Sequence, residues 1–113
     1  MNYDNRQFQV RHNASPGEVD SRTMFTYHQK DSVVWGTYQG GDILIGTLTG
    51  IVNEDGKLNF AYQHVNLRNE IMTGRCVSTP EVLPDGRLRL HEQWEWTCGT
   101  FASGKSVIEE IAR

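Results

Sequence analysis

Three short turns of one kind punctuate the second half of the chain, and they constrain its fold more than any other feature. The turns span residues 53–57, 66–70 and 83–87. Gly56 and Gly86 occupy the fourth position of the first and third turns, and Asn69 has the same position in the second. A type I turn followed by a residue with positive φ closes a three-residue hairpin, and glycine and asparagine tolerate that conformation best. The sequence therefore predicts three hairpins whose registers are fixed by their turns.

These turns determine which residues face one another across the strands. The predicted pairs are Val52–Leu58, Gly50–Phe60, Leu48–Tyr62, Gly46–His64, Leu58–Ser78, Phe60–Cys76, Tyr62–Gly74, Val82–Leu88, Ser78–Glu92, Cys76–Trp94 and Gly74–Trp96. Since side chains alternate between the faces of a sheet, the even-numbered residues share one face. This largely apolar face is predicted to point inward, and it carries Leu44, Gly46, Leu48, Gly50, Val52, Leu58, Phe60, Tyr62, His64, Met72, Gly74, Cys76, Val82, Leu88, Leu90, Trp94 and Trp96.

Short strand-like runs recur along the whole chain and predict its fold class. They cover residues 6–12, 22–29, 33–39, 42–53, 57–66, 70–83, 87–98 and 105–112. Regular short strands separated by turn signals are typical of all-β sandwiches and barrels. A chain of 113 residues is long enough to bury one core, so residues 1–113 are predicted to be one domain. We predict an all-β fold in which a single antiparallel up-and-down meander closes into a small barrel of about eight strands.

Two parts of the chain leave alternatives open. In the hairpin around Gly40 and Gly41, a two-residue loop would place Val33, Trp35 and Thr37 inside, and a three-residue loop would place Val34, Gly36 and Tyr38 inside. Phe25 and Tyr27 alternate with polar residues, so both are predicted to point inward. The segment 105–113 fits a strand about as well as a helical turn.

Composition and charge exclude several classes of partner. The chain is 37% hydrophobic and 22% charged, which fits a folded globular protein. Its net charge of −3 without a basic face argues against a nucleic-acid partner. No run of about 20 apolar residues is present, so no membrane partner is predicted. Residues 1–5 lack a basic region followed by an apolar stretch, and we expect a cytoplasmic location.

The two cysteines and the inward polar residues do not predict a disulfide or a metal site. Cys98 lies four residues beyond Trp94, the partner of Cys76, which separates the two cysteines by roughly 13 Å along the sheet. A disulfide needs Cα atoms within about 7 Å. Glu92 lies level with Ser78 and far along the strand from His64, so their spacing does not favour a metal. We therefore expect no metal and no other cofactor.

Several motifs resemble those of a family of short bacterial proteins, some of which carry the name N-acetylglutamate synthase. The motifs are Gln39-Gly40-Gly41, Gly46-x-Leu48-x-Gly50, Met72-Thr73-Gly74-x-Cys76-x-Ser78-Thr79-Pro80 and His91-Glu92-x-Trp94-x-Trp96. The resemblance extends from about Phe25 onward and implies a calycin-like shape, that of small lipocalin-like or avidin-like barrels. It supplies no catalytic residues. An acetyltransferase of the usual kind needs a glycine-rich loop that opens a helix, whereas the glycines here lie in β-turns and opposite aromatic residues.

The candidate binding residues are the inward side chains that are large or polar-tipped. They are Tyr62, His64, Glu92, Trp94 and Trp96. A carboxylate in an apolar interior must find hydrogen-bond partners or take up a proton. Glu92 is thus either a structural residue bonded to Ser78 near a barrel mouth or a group that contacts a polar ligand. The aromatic residues are likewise either core or the wall of a ligand site.

Three classes of function remain open at this point. The sequence favours a binding protein for a small, partly apolar molecule, because barrels of about eight strands either fill with side chains or hold one small ligand. The alternative is a filled barrel that acts through its surface or as a homodimer. An enzyme that uses Glu92 or His64 is less favoured, since the chain shows no paired carboxylates and no nucleophile–base motif.

Overall fold

Eight antiparallel strands form a closed barrel in the computed structural model of this chain, which describes residues 1–112. The strands are β1 (Arg6–Asn13), β2 (Met24–Lys30), β3 (Val33–Gly40), β4 (Ile43–Val52), β5 (Leu58–Asn66), β6 (Ile71–Val82), β7 (Leu88–Trp96) and β8 (Ser103–Glu110). Each strand pairs with the next in sequence, and β1 pairs with β8 to close the barrel. The predicted all-β meander is confirmed.

The three matched turns have the predicted geometry. The amide of Asn53 donates to the carbonyl of Lys57 at 2.8 Å, and the amide of Leu83 donates to the carbonyl of Arg87 at 2.8 Å. Gly56 has a φ of 86°, Gly86 a φ of 89° and Asn69 a φ of 58°. These left-handed conformations explain why glycine and asparagine stand at these positions.

The registers predicted from the turns are all observed. Gly50 pairs with Phe60 on β5, and Tyr62 pairs with Gly74 on β6. A Cβ atom built on Gly74 would overlap the ring of Tyr62, so the glycine makes room for the aromatic ring in the narrow interior. The inward side chains form one core, made of Tyr3, Phe8, Val10, Phe25, Tyr27, Val34, Tyr38, Ile43, Leu48, Leu58, Phe60, Cys76, Leu88, Leu90, Trp94 and Ile108.

The inward position predicted for Leu44 is wrong, and a β-bulge is the reason. Leu44 is 48% exposed, whereas the side chain of Ile43 is buried at 2%. Between the pairs Gly40–Ile43 and Tyr38–Gly46, β4 contains one residue more than β3. The extra residue reverses the alternation of faces below Gly46, which places Ile43 inside.

Val82 is also exposed, at 61%, against the prediction. It ends β6 and pairs with Leu88 on β7 as expected. On its other side, however, the pairing of β5 with β6 stops at Leu58 and Ser78. Val82 therefore lies beyond the end of β5, and no residue of that strand covers its side chain.

The structure resolves the alternatives that the sequence left open. Val34 and Tyr38 are buried and Trp35 is exposed, so the inward set of β3 is the one expected from a three-residue loop. Phe25 and Tyr27 are buried, as predicted. The segment 105–113 belongs to strand β8 as far as Glu110, and Arg113 lies outside the described residues.

The two cysteines are free, as predicted. Cys76 is buried on β6, and Cys98 is partly buried after β7, where its sulfur accepts a hydrogen bond from the amide of Thr73. Residues 1–112 contain no helix that is long and apolar enough to cross a membrane.

Candidate functional site

A cavity of about 50 Å³ lies inside the barrel beneath the β1–β2 loop, which comprises residues 14–23. Its lining consists of Asn13, Gly17, Glu18, Val19, Phe25, Tyr38, Phe60, Tyr62, His64, Cys76, Glu92, Trp94, Trp96 and Ser106. The five residues predicted as a binding site are Tyr62, His64, Glu92, Trp94 and Trp96, and the structure brings all of them to this cavity. A water molecule needs about 10–15 Å³, so the cavity has room for a few water-sized groups.

Glu92 lies in a row of three polar residues across the barrel wall. Ser78 on β6 pairs with Glu92 on β7, and Glu92 pairs with Ser106 on β8. Because paired residues point to the same side of a sheet, all three side chains face the interior. The hydroxyl of Ser78 donates to Glu92 Oε2 at 2.7 Å, and that of Ser106 donates to Oε1 at 3.0 Å. The strand register therefore places a hydrogen-bonded carboxyl group in the apolar core.

Burial changes the acidity of this carboxyl group. The side chain of Glu92 is enclosed, with the residue only 7% exposed. Burial disfavours the charged form and raises the pKa of Glu92 above its ordinary value of 4.5, while the hydrogen bonds from the two serines offset part of the effect. The carboxyl group therefore holds its proton to a higher pH than an exposed glutamate does.

We expect Glu92→Gln to raise the free energy of unfolding at pH 8 by about 1–3 kcal/mol. This is the usual cost of burying a polar group without full compensation, and the substitution removes that cost. In the unfolded chain Glu92 ionises at its ordinary pKa, whereas in the folded chain it stays protonated longer. Wild-type stability is therefore lost as the pH rises from about 4.5 through the folded pKa, and the neutral glutamine avoids this loss.

Urea unfolding of both proteins at pH 4 and pH 8 measures the effect. The two should be similar at pH 4, where Glu92 is protonated in both states. Glu95→Gln is the matched control. Glu95 is on the same strand, three residues after Glu92, but it points outward and pairs with Arg75 at the surface. A Glu92→Gln protein that is no more stable than wild type at pH 8 would contradict the argument.

Aromatic rings line the cavity above Glu92. The rings of Trp94 and Trp96 lie side by side with centroids 6.0 Å apart, and those of Phe60 and Tyr62 are 6.2 Å apart. The indole N–H of Trp94 donates to Asn13 Oδ1 at 2.9 Å, at the end of β1. Such rings combine an apolar surface with hydrogen-bonding edges, so they can bury a ligand and orient it.

His64 lies at the mouth of the cavity and is fully engaged in hydrogen bonds. Its Nδ1 atom is 2.9 Å from the hydroxyl of Tyr38, and its Nε2 atom is 2.8 Å from Glu18 Oε1. Glu18 Oε2 also accepts hydrogen bonds from Asn66 at 3.1 Å and from Arg68 at 3.0 Å. Through Glu18, the β1–β2 loop is therefore fastened over the mouth to the end of β5 and the turn that follows it.

Glu18 and Asn13 are parts of the site that the sequence analysis missed. Both belong to a polar stretch between two strands that carries no periodic pattern. Their place in the site depends on how the loop folds over the barrel, and this is a tertiary feature without a local signal. Ser106 was missed for another reason, since the pairing of β7 with β8 is not defined by one of the matched turns.

Tyr27 places a second buried polar group near this region. Its ring is fully buried, and its hydroxyl has no hydrogen-bond partner among residues 1–112. Burial raises the pKa of this hydroxyl well above its ordinary value, and the negative charge of Glu92 raises it further. The interior around Glu92 thus contains hydrogen-bonding capacity that the protein itself does not use.

The same environment determines what chemistry the lining can perform. Burial and then the charge of Glu92 raise the pKa of the Cys76 thiol well above its ordinary value, so the reactive thiolate is disfavoured. Within residues 1–112, no three side chains of the metal-binding types lie close enough together to hold a metal ion. The geometry is that of an interior pocket with aromatic walls and a polar floor.

Comparison with known proteins places this barrel in a family. A family model described as "Avidin-like protein" matches residues 1–111. A search of curated proteins and a search of solved structures each give no match. The family match covers nearly the whole chain and agrees with the eight-stranded closed barrel. This chain belongs to the avidin-like protein family.

Proposed function

We propose that this protein binds a small, partly apolar molecule in the cavity beneath the β1–β2 loop. The observation that carries the proposal is the convergence of the five candidate residues on one interior cavity. The avidin-like family binds small ligands, which is consistent with this use of the barrel. Enclosed pockets with apolar walls and a few convergent polar groups are the usual form of small-molecule sites.

Each part of the site has a separate role in this proposal. Trp94, Trp96 and Tyr62 form the wall against which the apolar part of the ligand packs. Glu92, held by two serine hydroxyls, is the polar contact at the floor. His64 stands at the mouth and holds the closed loop through Glu18. A ligand larger than about 50 Å³ extends beyond this cavity towards the β1–β2 loop.

The site supports binding better than catalysis. Cys76 is held as the neutral thiol, and His64 is occupied by Tyr38 and Glu18 rather than placed beside a nucleophile. A general base also needs a reacting group within hydrogen-bond reach and a partner that orients it. Glu92 is oriented by the uncharged hydroxyls of Ser78 and Ser106, which suits a recognition group.

Native mass spectrometry of the freshly purified protein tests the proposal. We expect a co-purified small molecule on the wild-type chain and none on Cys76→Met, because the longer side chain at this buried position fills the cavity. Val77→Met is the matched control, since Val77 is the next residue on β6 and points outward. A wild-type protein without any added mass, also after incubation with a library of small metabolites, would reject the proposal.

One observation supports a second candidate function, association of two copies. Val33 and Ile51 are exposed apolar residues that face each other on the outside of β3 and β4, and Val77 lies in the same outward row beyond Asn59. Exposed apolar patches on a soluble barrel often mark a protein interface. The same native mass spectra test this candidate, because a homodimer appears at twice the chain mass and a monomer contradicts it.

A further inference from the structure

The acidic side chains that line the cavity outnumber the basic ones. Two of the described lining residues, Glu18 and Glu92, carry carboxyl groups, and none is lysine or arginine. Glu18 already has a cation beside it, since it pairs with Arg68 at 3.0 Å. His64 is occupied by Glu18 and Tyr38. Glu92 is therefore the carboxyl group in this lining that remains without a positive partner.

Glu92 differs in this respect from the other buried glutamates of the barrel. Glu109 pairs with Arg11 at 3.0 Å and with Arg89 at 2.8 Å, and Glu110 pairs with Arg6. Glu92 instead accepts hydrogen bonds from the uncharged hydroxyls of Ser78 and Ser106. A buried charge without a counter-charge is strongly destabilising, and proteins normally pair such groups or keep them neutral. The fold thus supplies an arginine to the other buried glutamates and leaves Glu92 facing a cavity.

The aromatic wall suits the same kind of occupant. Trp94 and Trp96 on β7 present their rings to the cavity beside Glu92, and Phe60 and Tyr62 line it from β5, on the other side of β6. Aromatic faces attract cations, and indole rings do so most strongly. The carboxyl group of Glu92 and these ring faces together form a surface that accepts N–H donors.

We propose that the cavity takes a small organic cation, a protonated primary amine, whose ammonium group donates hydrogen bonds to Glu92 and whose apolar part lies against Trp94 and Trp96. This inference rests on the proposed function, that the cavity binds a ligand. Hydrogen bonds between an ionised donor and an ionised acceptor are about twice as strong as neutral ones. The amine supplies the positive charge that the protein leaves out, and Glu92 binds it as the carboxylate.

The cavity volume limits which part of the ligand is enclosed. A volume of about 50 Å³ accommodates an ammonium group and one or two attached carbons. The remainder of the ligand extends towards His64 and the β1–β2 loop. Glu18 and Arg68 form an ion pair there, so the two charges at the mouth offset each other. The selectivity for a cation therefore resides at the floor of the cavity.

Three probes that share an isobutyl group test the inference: isobutylamine, isobutanol and isovalerate, which carry a cationic, a neutral and an anionic head group. Binding is followed at pH 7 by the NMR signals of the Trp94 and Trp96 indole N–H groups. We expect isobutylamine to bind at least about tenfold more tightly than isobutanol, the usual advantage of a charge-assisted hydrogen bond, and isovalerate to bind most weakly.

The variant Glu92→Gln should remove the preference for the amine and keep the weak binding of the alcohol. Glu95→Gln, which changes the outward Glu95 on the same strand, should leave the preference intact. The wild-type comparison is decisive even if Glu92→Gln does not fold. Equal affinity for amine and alcohol, or tightest binding of isovalerate, would overturn the cation inference while showing that the cavity binds ligands. If none of the probes shifts the indole signals, this inference also fails, and the native mass spectra decide separately whether another class of molecule binds.

Discussion

Replacement of Gly50 by alanine should lower the free energy of unfolding by about 3 kcal/mol, the upper end of the usual cost of overpacking. A Cβ atom at Gly50 would collide with the carbonyl oxygen of Asn59 and lie 2.7 Å from the Cα atom of Phe60. Both atoms belong to the backbone of β5, to which β4 is hydrogen-bonded. A flexible side chain could move aside, but here the two strands must separate and weaken their ladder.

Gly86→Ala is the matched control for this substitution. Gly86 has a φ of 89° but no atom within 4 Å of the position of a Cβ, so its replacement costs only the strain of a left-handed alanine, about 1 kcal/mol. Urea unfolding of the three proteins gives both values. If Gly50→Ala is destabilised no more than Gly86→Ala, then β4 and β5 can move apart easily. The close contact with β5 would then not explain why residue 50 is a glycine.

Trp94→Ala should also destabilise strongly, by about 3–5 kcal/mol, as large-to-small core substitutions do. Trp94 is buried, covers Gly104 on β8 and donates a hydrogen bond to Asn13 on β1. Trp96 also lines the cavity, but it is only partly buried near the end of β7. Trp96→Ala should therefore cost less than half as much, because its ring already borders a void and solvent.

Denaturant unfolding and ligand binding must be measured on the same two tryptophan variants. For a pocket wall, Trp96→Ala keeps most of its stability and loses binding. Equal losses of several kcal/mol for both variants would show that Trp96 is a core residue, and the cavity would lose one side of the proposed aromatic wall.

The sequence predicted the part of the fold in which local signals and long-range pairing coincide. The turns at Gly56, Asn69 and Gly86 define registers by themselves, because a three-residue hairpin allows only one pairing of its strands. The alternation of large residues and glycines then decides which face points inward. For this reason the turns and the alternation together predict that Glu92, Trp94 and Trp96 point inward, as the structure shows.

The parts that were missed depend on interactions without a local pattern. The bulge that exposes Leu44 inserts one residue into an otherwise regular strand, and neither Leu44 nor Ile45 signals it, since both are apolar. Glu18 reaches the site only because the β1–β2 loop folds back over the mouth, where Asn66 and Arg68 receive it. A carboxylate in a polar loop is usually solvated, and its sequence context gives no other indication.

The fastening of Glu18 has a consequence for how long an occupant would stay inside. The barrel wall is a continuous ladder of hydrogen bonds from β1 round to β8, so a strand cannot swing open without loss of the fold. Gly17, Glu18 and Val19 are the part of the lining that lies outside this ladder. For the proposed ligand, passage beneath this loop would depend on how often Glu18 releases His64, Asn66 and Arg68. Its residence time would then be set by the loop, and its affinity by the floor and walls of the cavity.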